Sequence, residues 1–203
     1  MYSLYLYFLG LSKRNTSNAS EPFKDQKRSH VAVWNWIQRF GSCHIYKRKR
    51  VSAFIIDETI IQIKDRYFWL WICIEPNHKS MLGIYISEER NMSVEENFIH
   101  SLVDKYGKHT VYTDGSIWYP QTCTFLHLKD RLHSPLEKSM IERLMEYFKD
   151  RTESFDDYYY PCNNKQNCDL QRVYNWIKLF VYLYNAKIRN TILFKIGGEI
   201  VLT

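Results

Sequence analysis

Hydrophobic positions divide the chain into two unlike stretches. In the first, Leu4, Tyr5, Phe8, Leu9 and Leu11 recur at helical spacing, with Gly10 and Ser12 marking the stop. Asn15 to Ser20 is polar and supplies one further helical turn or two. Ser29, an N-cap residue type, and His30 then precede Val31, Val33, Trp34, Trp36, Ile37 and Phe40, with Gly41 as a C-terminal stop. The spacing predicts three short helices.

From Val51 the period changes. Val51 to Ile56 is a nearly continuous apolar run ending in Asp57, the signature of a buried strand. Thr59 to Ile63 and Tyr67 to Ile74 are two more strands joined by the polar turn Lys64-Asp65-Arg66, and Leu82 to Ile86 follows the turn Pro76-Asn77-His78-Lys79. Ser93 and Glu96 have capping-box spacing and open a helix with Val94, Phe98, Leu102 and Val103 inward. His109 to Tyr112 is a further strand, ending at Thr113-Asp114-Gly115. Leu136 to Arg151 is the clearest helix: Ile141, Leu144, Met145 and Phe148 form an i, i+3, i+4, i+7 stripe, opened by Ser134-Pro135. Phe155 to Pro161 reads as an aromatic and acidic loop, and Leu170 to Tyr184 as a last helix. Strands in a meander, then a helix, then a strand describe a mixed α/β layer fold.

Charge follows the same division. The 203 residues carry a formal net charge of +6. Residues 1–50 hold ten Lys/Arg against two acids, a net of +8, and residues 51–203 are close to neutral at −2. We therefore expect the two parts to have different partners, and three short helices with a basic periphery suggest a DNA-binding module with a basic hinge over 1–50, ahead of a second domain over 51–203. In a helix-turn-helix the third helix would enter the major groove, with Ser29, His30, Asn35 and Arg39 on its polar side. Lys47, Arg48, Lys49 and Arg50 would contact phosphates. A small helical cap without DNA contact is the alternative.

Composition excludes several classes. Five Pro and seven Gly leave no low-complexity tract, and no apolar run approaches the roughly 18 to 20 residues that span a bilayer. Tyr2 to Gly10 is short and has no basic residue before it, unlike a signal peptide. Cys43, Cys73, Cys123, Cys162 and Cys168 are odd in number and scattered, which fits a reducing cytoplasm, and Cys162 with Cys168 makes a poor zinc site.

Three acids stand out by position: Asp57 and Asp114 at strand ends, and Glu142 about 100° around the helix from Ile141. Carboxylates there are costly unless paired or bound to a cation. An oxygen-only trio suits Mg²⁺ or Mn²⁺, and two such ions can drive phosphodiester displacement. The pattern alone leaves open that these are turn formers and a solvated helix acid.

Ile55-Ile56-Asp57-Glu58-Thr59, Tyr67-Phe68-Trp69-Leu70-Trp71, Val111-Tyr112-Thr113-Asp114-Gly115 and Ile141-Glu142-Arg143 resemble the integrase-type DDE transposases of small bacterial and archaeal insertion sequences. The likeness extends through Leu132-His133-Ser134-Pro135, Phe148 to Thr152 and Phe180 to Asn185. It implies a ribonuclease H-like mixed sheet flanked by helices, with a small all-helical helix-turn-helix module before it. It also implies that Asp57, Asp114 and Glu142 are catalytic ligands of two Mg²⁺ (or Mn²⁺) ions. The activity implied is cleavage at transposon ends followed by attack of the 3′-hydroxyl on target DNA. Terminal repeats and target DNA would be the partners, on which a homodimer or larger assembly would act, associated with the nucleoid. The connection from Asp114 to Glu142 is shorter than is usual in the wider family, and Ser139 stands where many relatives have Asn.

Around this trio, Lys138, Arg143 and Lys149 are candidate phosphate contacts, and Trp118 is a candidate stacking partner for an unpaired base. His133 is a candidate for proton transfer or for a structural role. Two other functions stay open: a decayed or regulatory copy that binds DNA without cutting it, and a ribonuclease H-like nuclease without strand transfer.

Overall fold

The computed structural model describes residues 2–21, 29–43, 50–63, 66–152 and 170–196. In chain order the helices are α1 (Tyr2–Phe8), α2 (Lys13–Ser20), α3 (His30–Cys43), α4 (Met92–Tyr106), α5 (Trp118–Phe125), α6 (Pro135–Thr152) and α7 (Leu170–Ile196). The strands are β1 (Ala53–Ile63), β2 (Arg66–Ile74), β3 (Met81–Ser87), β4 (Thr110–Thr113) and β5 (Asp130–Leu132). These elements form two compact units, one drawn from residues 1–45 and 160–187 and the other from 46–159 and 188–203.

The described elements of the first unit are all helices. Ser12 caps α2 by accepting from the Asn15 N–H at 3.1 Å, and Ser29 Oγ accepts from the Ala32 N–H at 3.2 Å at the start of α3. Leu4, Phe8, Val33 and Ile37 are buried together with Val173, Trp176, Ile177 and Phe180 of α7. Phe8 meets Trp176 with ring centroids 5.2 Å apart, and Trp176 donates to the Tyr7 hydroxyl at 3.1 Å. The amide of Asn175 donates to Gln38 at 3.2 Å. The division at residue 50 thus needs revision at its far end: residues 170–187 belong with the N-terminal helices. The aromatic face of α7 buries against α1 and α3, so the charge step at residue 50 does not mark the end of this helical unit.

The second unit is a five-stranded sheet in the order β3-β2-β1-β4-β5. β1, β2 and β3 form an antiparallel meander, and β4 and β5 add in parallel beyond β1. With helices packed against it, this is the mixed α/β sheet expected from the sequence. Phe54, Ile56, Trp71, Cys73, Leu82, Phe98, Ile99, Leu102, Val111 and Tyr119 form its core beneath α4 and α5. At the β2–β3 turn, burial disfavours the Glu75 carboxylate, but hydrogen bonds from Ser52, His78 and Asn77 outweigh it and hold its pKa below the usual value.

Three local expectations change. The apolar run up to Ile56 and Thr59 to Ile63 belong to one strand, which starts at Ala53, because β2 pairs along β1 from Ile55 opposite Ile74 to Ile63 opposite Arg66. The cap of α4 is Asn91, whose side chain accepts from the Val94 N–H at 3.0 Å, so the helix starts before Ser93. α5 and the three-residue β5 lack a strong sequence period and were not expected. The segment Phe155 to Pro161 lies outside the described residues, as do Cys162 and Cys168. Cys73 and Cys123 are buried free thiols.

Candidate active site

Asp57 sits within β1 and not at its end. Its position is nevertheless special. On one side it pairs with Ile72 of β2, while on the other the described β1–β4 pairing runs only from Ala53 opposite Thr110 to Ile55 opposite Tyr112. Asp57 therefore lies just past the parallel pairing, and Asp114 follows the last residue of β4. Strand alternation puts Asp57 on the sheet face opposite Ile56 and Glu58. That is the face away from the α4–α5 core, and α6 packs on β1. Ile141, Leu144, Met145 and Phe148 anchor α6 by full burial and leave Glu142 exposed beside them.

Asp57 feels the charge of the other two acids. Burial pushes the Asp57 carboxyl up to about 6 against the opposing effect of a hydrogen bond from the Glu58 N–H, and the charges of Glu58, Asp114 and Glu142 add to the rise. That hydrogen bond is 2.9 Å. Asp114 Oδ1 accepts from the Ser116 N–H at 2.9 Å, and Gly115 between them has φ +85°, which a glycine adopts without strain. Glu142 lies 3.9 Å from the Lys138 ammonium one helical turn away. Among the described residues, no three His, Cys, Asp or Glu side chains are gathered closely enough to hold a metal ion as they stand.

Several contributors were not anticipated. The Glu58 side chain is almost wholly buried and is ion-paired with Arg90, whose Nε donates to it at 2.7 Å. The Tyr119 hydroxyl donates to the other oxygen of Glu58 at 2.7 Å. Glu95 on α4 is fully buried, and burial followed by the charges of Glu58, Asp130 and Asp114 drives its carboxyl up to about 7. The Thr122 hydroxyl lies beside Glu95 but outside hydrogen-bond geometry, leaving both groups without a partner. Glu95 was legible in one respect: it falls i, i+3, i+4, i+7 with Phe98, Ile99 and Leu102, on the buried stripe of its helix.

The family model of the IS240-type DDE domain matches residues 51–155. An uncharacterized protein of Methanocaldococcus jannaschii is 31% identical over 183 residues, covering 89% of this chain and 82% of that protein. The chain belongs to the IS240-type DDE transposase family. The matched span coincides with the sheet unit and stops before α7. Solved structures similar to this DDE-family chain include the HTLV-2 integrase catalytic core domain in complex with magnesium (TM-score 0.49, 14% identity, 64% of this chain and 83% of that one). The BIV integrase catalytic core domain is another (TM-score 0.46, 14% identity, 70% and 97%).

The remaining candidate residues of this DDE-family chain divide by unit. On α3, Asn35 and Arg39 are exposed one turn apart, Ser29 is the exposed cap and His30 is partly buried. Lys47, Arg48 and Lys49 lie outside the described residues, and Arg50 is exposed. Lys138, Arg143 and Lys149 are exposed along α6. Trp118 is partly buried with its ring against the Arg90 guanidinium, 5.5 Å from the centroid. His133 is tied to the Tyr112 carbonyl at 3.0 Å, and its burial holds its pKa below the usual value. No described helix is long and apolar enough to cross a membrane.

Proposed function

We propose that this chain is a DNA transposase that cleaves the ends of a mobile element and transfers the new 3′-hydroxyl to target DNA. The observation that carries this reading is the electrostatic convergence of Asp57, Asp114 and Glu142, from a strand, a turn and a helix, in a chain of the DDE family. A half-buried carboxylate raised first by burial and further by neighbouring carboxylates is a poor device for stability and a good one for a cation. The donors are all oxygen, which fits Mg²⁺ or Mn²⁺, and the three would have to draw together to coordinating distance. Two such ions would activate the attacking oxygen and stabilise the leaving one.

The chain's other residues supply binding. Lys138, Arg143 and Lys149 offer cations to the phosphates that flank the scissile bond, and Trp118 offers a ring to an unpaired base. Ser29, His30, Asn35 and Arg39 of α3 would read the terminal repeat in the major groove, with Lys47, Arg48, Lys49 and Arg50 on the backbone. Joining two ends in concert calls for a homodimer or larger assembly, acting on the nucleoid in the cytoplasm.

The test is a cleavage and strand-transfer assay with Mg²⁺ on a duplex bearing the element's terminal repeat. Asp57→Asn, Asp114→Asn and Glu142→Gln are each expected to lower cleavage by at least about 10³-fold while salt-sensitive binding persists. Full metal-dependent cleavage by any of the three would overturn the assignment. The short connection from Asp114 to Glu142, with Ser139 where many relatives have Asn, supports a second reading, a copy that binds ends without cutting. It requires binding with no metal-stimulated nicking in the wild-type chain. Degradation without joined products would indicate a nuclease instead.

A further inference from the structure

Glu58 is adjacent to Asp57 but faces the other side of the sheet, toward α4 and α5. Its side chain is 3% exposed, and both oxygens are engaged, one by Arg90 and one by the Tyr119 hydroxyl. Burying the Glu58 carboxylate against a guanidinium whose side chain is 32% exposed costs desolvation that an apolar pair of similar volume would avoid. The pair therefore points to geometry more than to stability.

What it fixes is visible in the connections. Arg90 lies in the link between β3 and α4, its guanidinium 5.1 Å from the Trp69 ring centroid and 5.5 Å from that of Trp118. Its environment is settled as well. Ser87 accepts from the Trp71 indole at 2.8 Å and donates to the Glu89 carbonyl at 2.7 Å, and Asn91 donates to Glu89 at 2.6 Å. Burial works against the Arg90 charge, but Glu58 outweighs it and, with Asp114 behind it, raises the Arg90 pKa. Tyr119 is fully buried in the first turn of α5, and its N–H donates to the Ser116 carbonyl at 3.2 Å. Ser116 in turn holds the Asp114 carboxylate. A continuous chain of bonded groups thus runs from the residue after Asp57 to the turn that carries Asp114.

We infer that Glu58, Arg90 and Tyr119 form a positioning clamp that locks the Asp114 turn and Trp118 against the strand carrying Asp57. β4 pairing fixes the two strands up to Tyr112, and the clamp fixes what lies beyond it. None of the three residues touches the reacting atoms. The inference rests on the cleavage reading for its kinetic consequence, and on structure alone for the clamp itself.

Tyr119→Phe removes one hydrogen bond without changing charge or shape, and Glu58→Gln keeps shape while removing the charge that Arg90 neutralises. Each is expected to lower kcat for end cleavage about 10- to 100-fold with KM for the duplex within about two-fold of wild type. Hydrogen exchange at residues 114–119 should quicken about 10-fold while β1 and β2 keep their protection. Thermal unfolding checks that both variants are folded at the assay temperature. Unchanged exchange at 114–119 overturns the clamp whatever the cleavage result. Quickened exchange with kcat unchanged overturns its positioning role. Loss of kcat that simply tracks the unfolded fraction does so too. A wild-type chain that cuts no substrate defeats the cleavage reading, and exchange alone then decides the clamp.

Discussion

Gly41 and Asn175 meet backbone to backbone: a Cβ built on Gly41 would lie 2.0 Å from the Asn175 carbonyl oxygen. The glycine is therefore not a helix stop. α3 continues through it to Cys43, and its missing side chain lets α7 approach. Gly41→Ala is expected to destabilise the helical unit by about 1–3 kcal/mol, since rigid backbone cannot yield as a side chain would. Thermal unfolding would read the loss, and hydrogen exchange would place it in α3 and α7, with the sheet unaffected.

Asp57 yields a pH prediction with a definite sign. Its pKa rises from an ordinary 3.8 to about 6 in the folded chain, so the folded state favours the protonated form. Its favourable contribution is complete below pH 4 and is lost as pH rises through 6. Without metal, Asp57→Asn should be more stable than wild type at pH 7, by on the order of 2 kcal/mol, with the advantage gone by pH 4. Adding Mg²⁺ should raise the Tm of wild type and leave that of the variant unmoved. Equal Tm shifts in both would place the ion elsewhere.

Glu95 follows the same sign at a higher pH. Its carboxyl rises from 4.5 to about 7, so its contribution is lost as pH passes from below 4.5 to above 7. Glu95→Gln, which cannot ionise, should unfold at a higher temperature than wild type at pH 8 and show no such advantage at pH 4. A lower Tm at pH 8 would mean that the charged form is compensated.

DNA binding by α6 predicts a salt signature. Arg143→Ala and Lys149→Ala should each weaken binding to any duplex and reduce the slope of log K against log salt by about 1. Asn35→Ala on α3 should instead weaken the terminal repeat more than an unrelated duplex. A uniform loss in the Asn35 variant would remove it from base readout.

Much was written in the sequence by itself. The stripe Ile141, Leu144, Met145 and Phe148 determined α6 and the side on which Glu142 stands, because a 3.6-residue period leaves one way to bury four apolar side chains. The apolar run through Ile56 and the alternating strands after it determined the meander, and local cap chemistry set Ser29 where α3 begins. The pattern placed the three acids on these elements, and the resemblance to the DDE family, not the periodicity, singled them out as a trio.

Tertiary structure decided the rest, since it depends on contacts between residues distant along the chain. Whether Val51 to Ile63 is two strands or one is set by β2, which pairs past Asp57 where β4 does not. α5 and β5 are too short to carry a period and form through what they pack against. Glu58, next to Asp57, reads in sequence as one more solvated acid, and only the arrival of Arg90 and Tyr119 from elsewhere in the chain makes its burial tolerable. The charge step at residue 50 says nothing of α7, whose aromatic face finds α1 and α3. Local periodicity fixes which side of an element is buried; which partner buries it is decided by the whole fold.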